Sequence, residues 1–449
     1  MDQQEPNKKP TRREFLKTAS VVAGSVAMTA AAKSSVYALA PSRVIGANDR
    51  INIGHIGVGG QGMTHVRLLK ENSAANNTQS IAISDIYEPR KQAAKEFLGL
   101  DDAHVYQDYQ KLLENPDVDV VWIASPEHWH YRMAMDAIHS GKDIYLEKPM
   151  TRYLDEALSL WRTVKGSDRI FQLGVQACTD QRWHVAGDAV KANRIGKIIW
   201  SQGSYCRNSK DGEWNYYTIE PQCTPQTLDW KRWLGPAPWH EFSRERYFRW
   251  RKFWDYSAGI DSDLFPHRVT PLMIGIGGAE FPERVVAVGG KWLSETDRQV
   301  PDTFHLMADF PSKQTIVVVG STANEQGLPD EIRGHHATLY LGGNSIDLRP
   351  ERDWSDQIDA VTLQVTGPGE DIAAHEKNFL DCVRSRGVPN CDVDLAVRAH
   401  AVIAMAEMSY RQSKTMLFDP VRVHLIQGKE EKPKGQVMPW HPLKESAKA

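Results

Sequence analysis

The sequence predicts an α/β protein, with a doubly wound parallel sheet in its first half and a second, strand-rich α/β domain after it. Two observations predict the first half. Between Arg50 and Pro149, apolar runs rich in β-branched residues alternate with helical stretches, as βαβ units require. The first run feeds a Gly-x-Gly-x-x-Gly turn at Gly57, Gly59 and Gly62. A third observation predicts the second half: beyond residue 284, short alternating or apolar segments follow one another, with Gly342-Gly343-Asn344 as a hairpin turn. Hydrophobic residues at 41% and charged residues at 25% match a folded globular chain. A net charge of −3 argues against a nucleic-acid or anionic-membrane partner.

Residues 11–17 read Thr-Arg-Arg-Glu-Phe-Leu-Lys, and a weakly apolar stretch runs from Thr18 to Ala32. That stretch is too short and too polar for a stable membrane anchor. Ala38-Leu39-Ala40 places small residues where a signal peptidase reads. The pattern resembles a bacterial twin-arginine signal, whose cargo crosses the membrane folded. Residues 1–40 are therefore expected to be a leader, the partner the twin-arginine machinery, and the destination the periplasm. An exported enzyme would carry its cofactor with it. Cys178, Cys206, Cys223, Cys382 and Cys391 form no close sequence pairs; buried thiols are expected, with one disulfide left open.

The first strand, Ile51–Ile56, leads into the glycine turn. The first glycine permits the tight turn, the second lets backbone approach a pyrophosphate, and the third lets helix pack on strand. Phosphates would then sit on the helix N-terminus, with Gly60 and Gln61 beside them. The second strand, Ser80–Ser84, ends in Asp85. An acid there suits the ribose hydroxyls of NAD and repels a 2′-phosphate; its alternative role is a helix N-cap, and nearby Arg90 leaves room for NADP. Val118–Ala124 is a buried strand running into Ser125-Pro126-Glu127-His128-Trp129-His130, and Asp143–Leu146 is another, running into Glu147-Lys148-Pro149. Lys148 thus falls at a strand end, where such sheets bind ligands.

Farther on, Asp263 and His267 stand four apart. On a helix they would share a face, and an acid so placed can orient an imidazole that shuttles a hydroxyl proton. Pro266 between them restricts the pair to a first helical turn or an interrupted helix. His128 with His130, and His335 with His336, lack the acid and histidine spacing of zinc sites, so no catalytic metal is expected. From Leu228 to Tyr256, tryptophans, tyrosines and phenylalanines interleave with arginines and lysines. As a group they are expected to line a carbohydrate site, by ring stacking and hydrogen bonding. Taken singly, each ring suits core or interface.

The strands expected next are Arg284–Trp292, Thr303–Phe310, Gln314–Val319, Ala337–Leu341 and Ser345–Leu348. Helices are expected from Ile372 to Arg384 and onward to Arg411, and a solvated, lysine- and glutamate-rich tail from Gly428.

From Arg50 to Arg411 the chain resembles the Gfo/Idh/MocA oxidoreductases. The matching features are the glycine fingerprint, the acid after the second strand, Ser-Pro-x-x-x-His at 125–130, Glu-Lys-Pro at 147–149 and Asp-x-x-x-His at 263–267. Two positions depart from the family pattern: His128, where Asn is usual, and Thr270, where an acid is common. The resemblance implies a Rossmann domain over 41–170 and a substrate-binding and oligomerisation domain over 171–427. The latter would carry one large open, mainly antiparallel sheet, with the last helix packing back on the Rossmann domain, and 428–449 would be tail. It implies NAD (or NADP) held by Gly57, Gly59, Gly60, Gln61, Gly62, Asp85, Ser125, Pro126, His128, His130, Glu147, Lys148 and Gln176. Lys148 would touch nicotinamide ribose and the reacting oxygen, His267 would be the acid/base, and Asp263 would position substrate or histidine. A sugar, cyclitol or glycoside substrate and a homo-oligomer are expected. Two rival readings are an NAD-dependent glycosidase that oxidises transiently and eliminates, and a non-catalytic sugar-binding protein.

Overall fold

A computed structural model of the chain describes residues 49–293 and 298–435. The expected leader and the end of the tail lie outside the described residues. The first sheet has six strands: β1 (Ile51–Ile56), β2 (Thr78–Ser84), β3 (Val105–Tyr106), β4 (Val120–Ile123), β5 (Asp143–Glu147) and β6 (Phe171–Gly174). Their order is β3-β2-β1-β4-β5-β6, and every neighbouring pair is parallel. The order reverses between β1 and β4, which opens a crevice at their carboxyl ends. Helices α1 (Gly60–Glu71), α2 (Glu88–Leu98), α3 (Glu127–His139) and α4 (Leu154–Lys165) fill the crossovers. β4 and β5 are buried along their whole length, as strands covered on both faces must be.

After β6, α5 (Gln181–Lys191) leads to β7 (Ile198–Cys206), the first strand of a second sheet. An irregular segment, residues 207–259, separates β7 from α6 (Pro266–Gly275). The sheet continues with β8 (Arg284–Gly290), β9 (Thr303–Asp309), β10 (Thr315–Ser321), β11 (Glu331–Gly334), β12 (Ala337–Leu341), β13 (Ser345–Pro350) and β14 (Val361–Gln364). Two long helices follow, α7 (Ile372–Ser385) and α8 (Val393–Gln412), and then β15 (Met416–Asp419) and β16 (His424–Gln427). The strand order is β14-β13-β12-β11-β7-β10-β9-β8-β15-β16. Only β7 and β10 pair in parallel; every other neighbouring pair is antiparallel.

Alternation gives this sheet one core face. Val285, Ala287, Phe304, Leu306, Ala308, Ile316 and Val318 point inward and are buried, with α6 and α8 packed against them. α8 also packs on α4, so one helix supports both sheets. The five cysteines are free thiols. Cys178 meets Cys391 in the core, and burial with that contact raises the Cys178 pKa. The tail is less loose than its composition suggests. Glu430 accepts from the amides of Leu154 and Asp155, and Lys432 pairs with Asp155, which places a carboxylate on the N-terminus of α4.

Candidate active site

The carboxyl ends of β1, β2, β4 and β5 surround a cavity of about 650 Å³, lined by the glycine turn, Asp85, Arg90, Ser125, Pro126, Glu147 and Lys148. Gly57 has φ +85°, and a Cβ there would lie 2.7 Å from the Ala124 carbonyl oxygen. A Cβ on Gly62 would lie 2.0 Å from the Gly57 carbonyl oxygen. Both glycines are therefore imposed by the turn itself. α1 begins without a side-chain cap and with no acid in its first turn, which leaves its amides to an anion. Asp85 does not cap α2, whose N-cap is Tyr87. Its carboxylate accepts from the Val58 amide at 2.9 Å and the Tyr87 amide at 2.9 Å. Each oxygen keeps a second lone pair for a ribose hydroxyl. Glycine cradle, uncapped helix and acid together fit a dinucleotide.

Around this cavity the predicted residues divide into those that line it and those that hold its walls. Buried His128 places Nε2 2.9 Å from the Trp233 carbonyl, and burial lowers its pKa to about 4. His130 spans the Ser125 and Pro149 carbonyls, at 2.8 and 2.7 Å, and so ties the loop after β4 to the loop after β5. Glu147 Oε1 accepts from Gln61 at 3.1 Å and from His65 at 2.8 Å, and the other His65 nitrogen lies 2.6 Å from Glu376. Burial opposes charge on His65, but the bonds to Glu147 and Glu376 outweigh it and push its pKa up to about 9. Burial likewise opposes charge on Glu147, and His65 with Lys148 outweighs it, bringing its pKa to about 2. Gln176 does not line the cavity; its amide donates to Glu370 at 3.2 Å.

Lys148 reaches across to the second domain. Its Nζ donates to Asp263 Oδ1 at 2.6 Å and to the Asp263 carbonyl at 2.8 Å. Arg251 Nε approaches the same carboxylate at 2.9 Å, and Trp214 donates to its other oxygen at 3.3 Å. Burial opposes charge on Asp263, but Arg251 and Lys148 dominate and hold its pKa below the carboxylate range. Asp263 lies in a π-helical turn, Ile260–Leu264, and Pro266 is the first residue of α6. The Asp-x-x-x-His spacing therefore straddles a helix start, as the proline requires, rather than lying along one helix face. Asp263 is bonded to Lys148, not to His267.

His267 is 8% exposed. Burial and then the charge of Lys148 lower its pKa to about 3, so the ring is neutral at ordinary pH. Its ring packs 5.4 Å from that of Tyr205, and Nδ1 lies 3.7 Å from Glu370. Tyr205 and Glu370 line a second, open cavity of about 590 Å³, with Ser204, Arg207, Arg268 and Glu325. His267 therefore lies beside two residues of a polar cavity open to solvent, while Lys148 lines the cofactor crevice.

Taken singly, the rings of the aromatic segment pack largely as core. Trp230, Trp233, Tyr247, Phe248 and Tyr256 pack with Tyr87 into a core of their own. This core roofs the first cavity, to which Trp233, Tyr247, Phe248 and Trp250 contribute. Five of these rings are buried against one another and the nucleotide domain, and Phe242, Trp250, Phe253 and Trp254 are partly buried. Trp239 is the most exposed ring of the segment, at 59%. His65, Trp214, Arg251, Glu370 and Glu376 escape a sequence reading. Among them only Arg251 stood in a pattern that drew notice, as one cation of the aromatic segment. Among the described residues no cluster of three or more His, Cys, Asp or Glu could hold a metal.

Residues 51–175 match the oxidoreductase family with an NAD-binding Rossmann fold, and residues 210–436 match that family's C-terminal alpha/beta domain. An uncharacterized oxidoreductase of Synechocystis is 30% identical over 207 residues, 42% of this chain and 52% of that protein. An alpha-N-acetylgalactosaminidase of Shewanella oneidensis is 24% identical over 234 residues, 46% of this chain and 50% of that protein. The chain thus spans about half the length of these curated relatives. Among solved structures, levoglucosan dehydrogenase in complex with NADH superposes with TM-score 0.63 at 18% identity, covering 82% of this chain and 98% of that one. The WlbA dehydrogenase of Bordetella pertussis, in complex with NADH and UDP-GlcNAcA, gives 0.61 at 17%, covering 82% and 99%. These two likenesses are of fold. With both domains matched in order, the chain belongs to the Gfo/Idh/MocA oxidoreductase family and carries its NAD-binding Rossmann domain.

Proposed function

We propose that this chain is an exported, periplasmic oxidoreductase that moves a hydride between a sugar, cyclitol or glycoside hydroxyl and a nicotinamide cofactor that stays bound. The observation that carries the reading is the Lys148–Asp263 ion pair at a dinucleotide crevice, with His267 beside Tyr205 and Glu370 of an open polar cavity. Gly57, Gly59, Gly60, Gln61 and Gly62 would hold the phosphates, Asp85 a ribose, and Ser125, Pro126, Glu147 and Lys148 the nicotinamide end. Arg90, caged by Tyr87, Tyr247 and Phe248, leaves NADP as the alternative. When bound, nicotinamide supplies a hydride acceptor beside the carbinol carbon. Neutral His267 takes the hydroxyl proton as a carbonyl forms. Lys148, fixed by Asp263, holds the reacting oxygen and favours its developing negative charge.

Retention is supported by the roof. The 207–259 segment pairs with the loop after β2 through the Tyr87–Leu228 bridge. It is also tied by Glu88 to Thr227 at 2.9 Å, Tyr87 to Glu220 at 2.7 Å and Trp129 to Trp233 at 2.9 Å. A resident cofactor would be recycled by reducing a second sugar or by passing electrons to an external acceptor. The open face of the second sheet, with Val286 38%, Val288 61% and Met307 57% exposed, supports a second copy of the chain as partner. No helix among the described residues is long and apolar enough to cross a membrane.

A second reading is favoured by relatives named as glycosyl hydrolase family 109 proteins and an alpha-N-acetylgalactosaminidase. The same site would oxidise a glycoside transiently, eliminate the aglycone and return the hydride. The near-ultraviolet absorbance of the purified mature protein, before and after a panel of sugars and glycosides, separates the two. Bound nicotinamide reduced by one sugar supports the dehydrogenase. Glycoside cleavage with no net change in redox state supports the glycosidase. A protein that neither contains nor takes up nucleotide defeats both and returns the case to a sugar-binding protein.

A further inference from the structure

His267 lacks a partner for a general base. Its Nδ1 is buried with no hydrogen bond, so nothing sets which ring nitrogen carries the proton and which keeps the basic lone pair. The charged groups facing it are Lys148, Asp263, Glu147 and Arg268, with the Tyr205 ring beside it. Asp263 is bonded to Lys148 and Trp214, Glu147 to His65 and Gln61, and Arg268 donates to the carbonyls of Ser204 and His267. Glu370 is the remaining carboxylate. It lies in an irregular stretch between β14 and α7 and lines the open cavity. It is held by Gln176 at 3.2 Å and by Arg268 at 3.8 Å. Its Oε1 stands 3.7 Å from Nδ1, just beyond hydrogen-bond reach.

We infer that Glu370 is the positioning residue for His267, closing onto Nδ1 when substrate fills the open cavity. The closure fixes the Nδ1–H tautomer and leaves the Nε2 lone pair for the substrate hydroxyl. The O–H bond breaks, an Nε2–H bond forms, and the carboxylate balances the imidazolium without taking its proton. Displacement of water by substrate strengthens the pairing, because the Coulomb attraction is less screened. The inference rests on the reading of His267 as base in the proposed reaction.

The test compares wild type, Glu370→Gln, Glu370→Asp and His267→Ala with the sugar that reduces the bound nucleotide, measuring kcat and KM against pH. Glu370→Gln keeps the shape and removes the charge. The base must be unprotonated, so loss of the carboxylate moves the acidic limb of kcat to lower pH. The plateau falls by about tenfold to a hundredfold with KM little changed. Glu370→Asp retains part of the plateau and the original limb. Glu370→Gln overlaying wild type in limb and plateau, while His267→Ala is inactive, overturns the inference alone. Full activity in His267→Ala overturns the parent reading and the inference with it.

Discussion

Lys148 and Asp263 are 115 positions apart yet share a 2.6 Å ion pair, and this contact makes the site. Each motif was legible because it is local: Glu-Lys-Pro after an apolar strand, Asp-x-x-x-His around a proline. Their partnership was not, since nothing in either motif names the other. Lys148→Met should lower kcat about 100-fold to 1000-fold and leave nucleotide bound, checked by steady-state rates and by absorbance of the purified protein. A second residue-scale prediction concerns His65, whose folded pKa of about 9 lies above the ordinary histidine value of 6.5. Its charge therefore stabilises the fold fully below pH 6.5, and that contribution is lost as pH rises through 9. Thermal unfolding of wild type should show this decline across that window, and His65→Gln should lack it. Parallel pH profiles for the two proteins would refute the assignment. Glu147, held near pKa 2 against an ordinary 4.5, contributes fully above that ordinary value and loses its contribution as pH falls from there through 2.

Elements were legible where periodicity or a run was strong. β8, β9, β10, β12 and β13 were expected and occur at Arg284–Gly290, Thr303–Asp309, Thr315–Ser321, Ala337–Leu341 and Ser345–Pro350. β7 was missed although it lies inside the sheet, between β11 and β10. Its sequence, Ile-Ile-Trp-Ser-Gln-Gly-Ser-Tyr-Cys, mixes polar residues and a glycine into the run, and its two neighbours supply the pairing that the pattern does not. The 207–259 segment shows the opposite failure. Its composition was conspicuous, but composition does not say which surface the rings cover. As roof of the crevice it makes a prediction. Trp233→Ala removes a ring that packs on Tyr247 and Tyr256, at a cost of about 3–5 kcal/mol. Nucleotide should then be lost on gel filtration of a still folded protein. Retention equal to wild type would remove the segment's proposed role.

At the scale of the whole molecule, α8 packs on α4 of the first domain and against β8 of the second sheet, so one helix is shared by the two domains. The other face of that sheet is where association is expected, because Val286, Met307 and Val317 lie side by side across β8, β9 and β10. Val288→Glu with Met307→Glu should halve the sedimenting mass without unfolding the chain, and a wild type that already sediments as a monomer would refute it. The two-domain α/β architecture, the dinucleotide turn, Asp85 at its strand end and the Lys148 and His267 motifs can all be read along the chain. Each depends on backbone geometry or periodicity within a few residues. Folding alone reveals that Asp263 anchors Lys148, that His65 joins Glu147 to Glu376 and that the aromatic segment roofs the crevice. Such contacts join residues far apart in the chain, and burial there decides which charges are paired and which remain neutral.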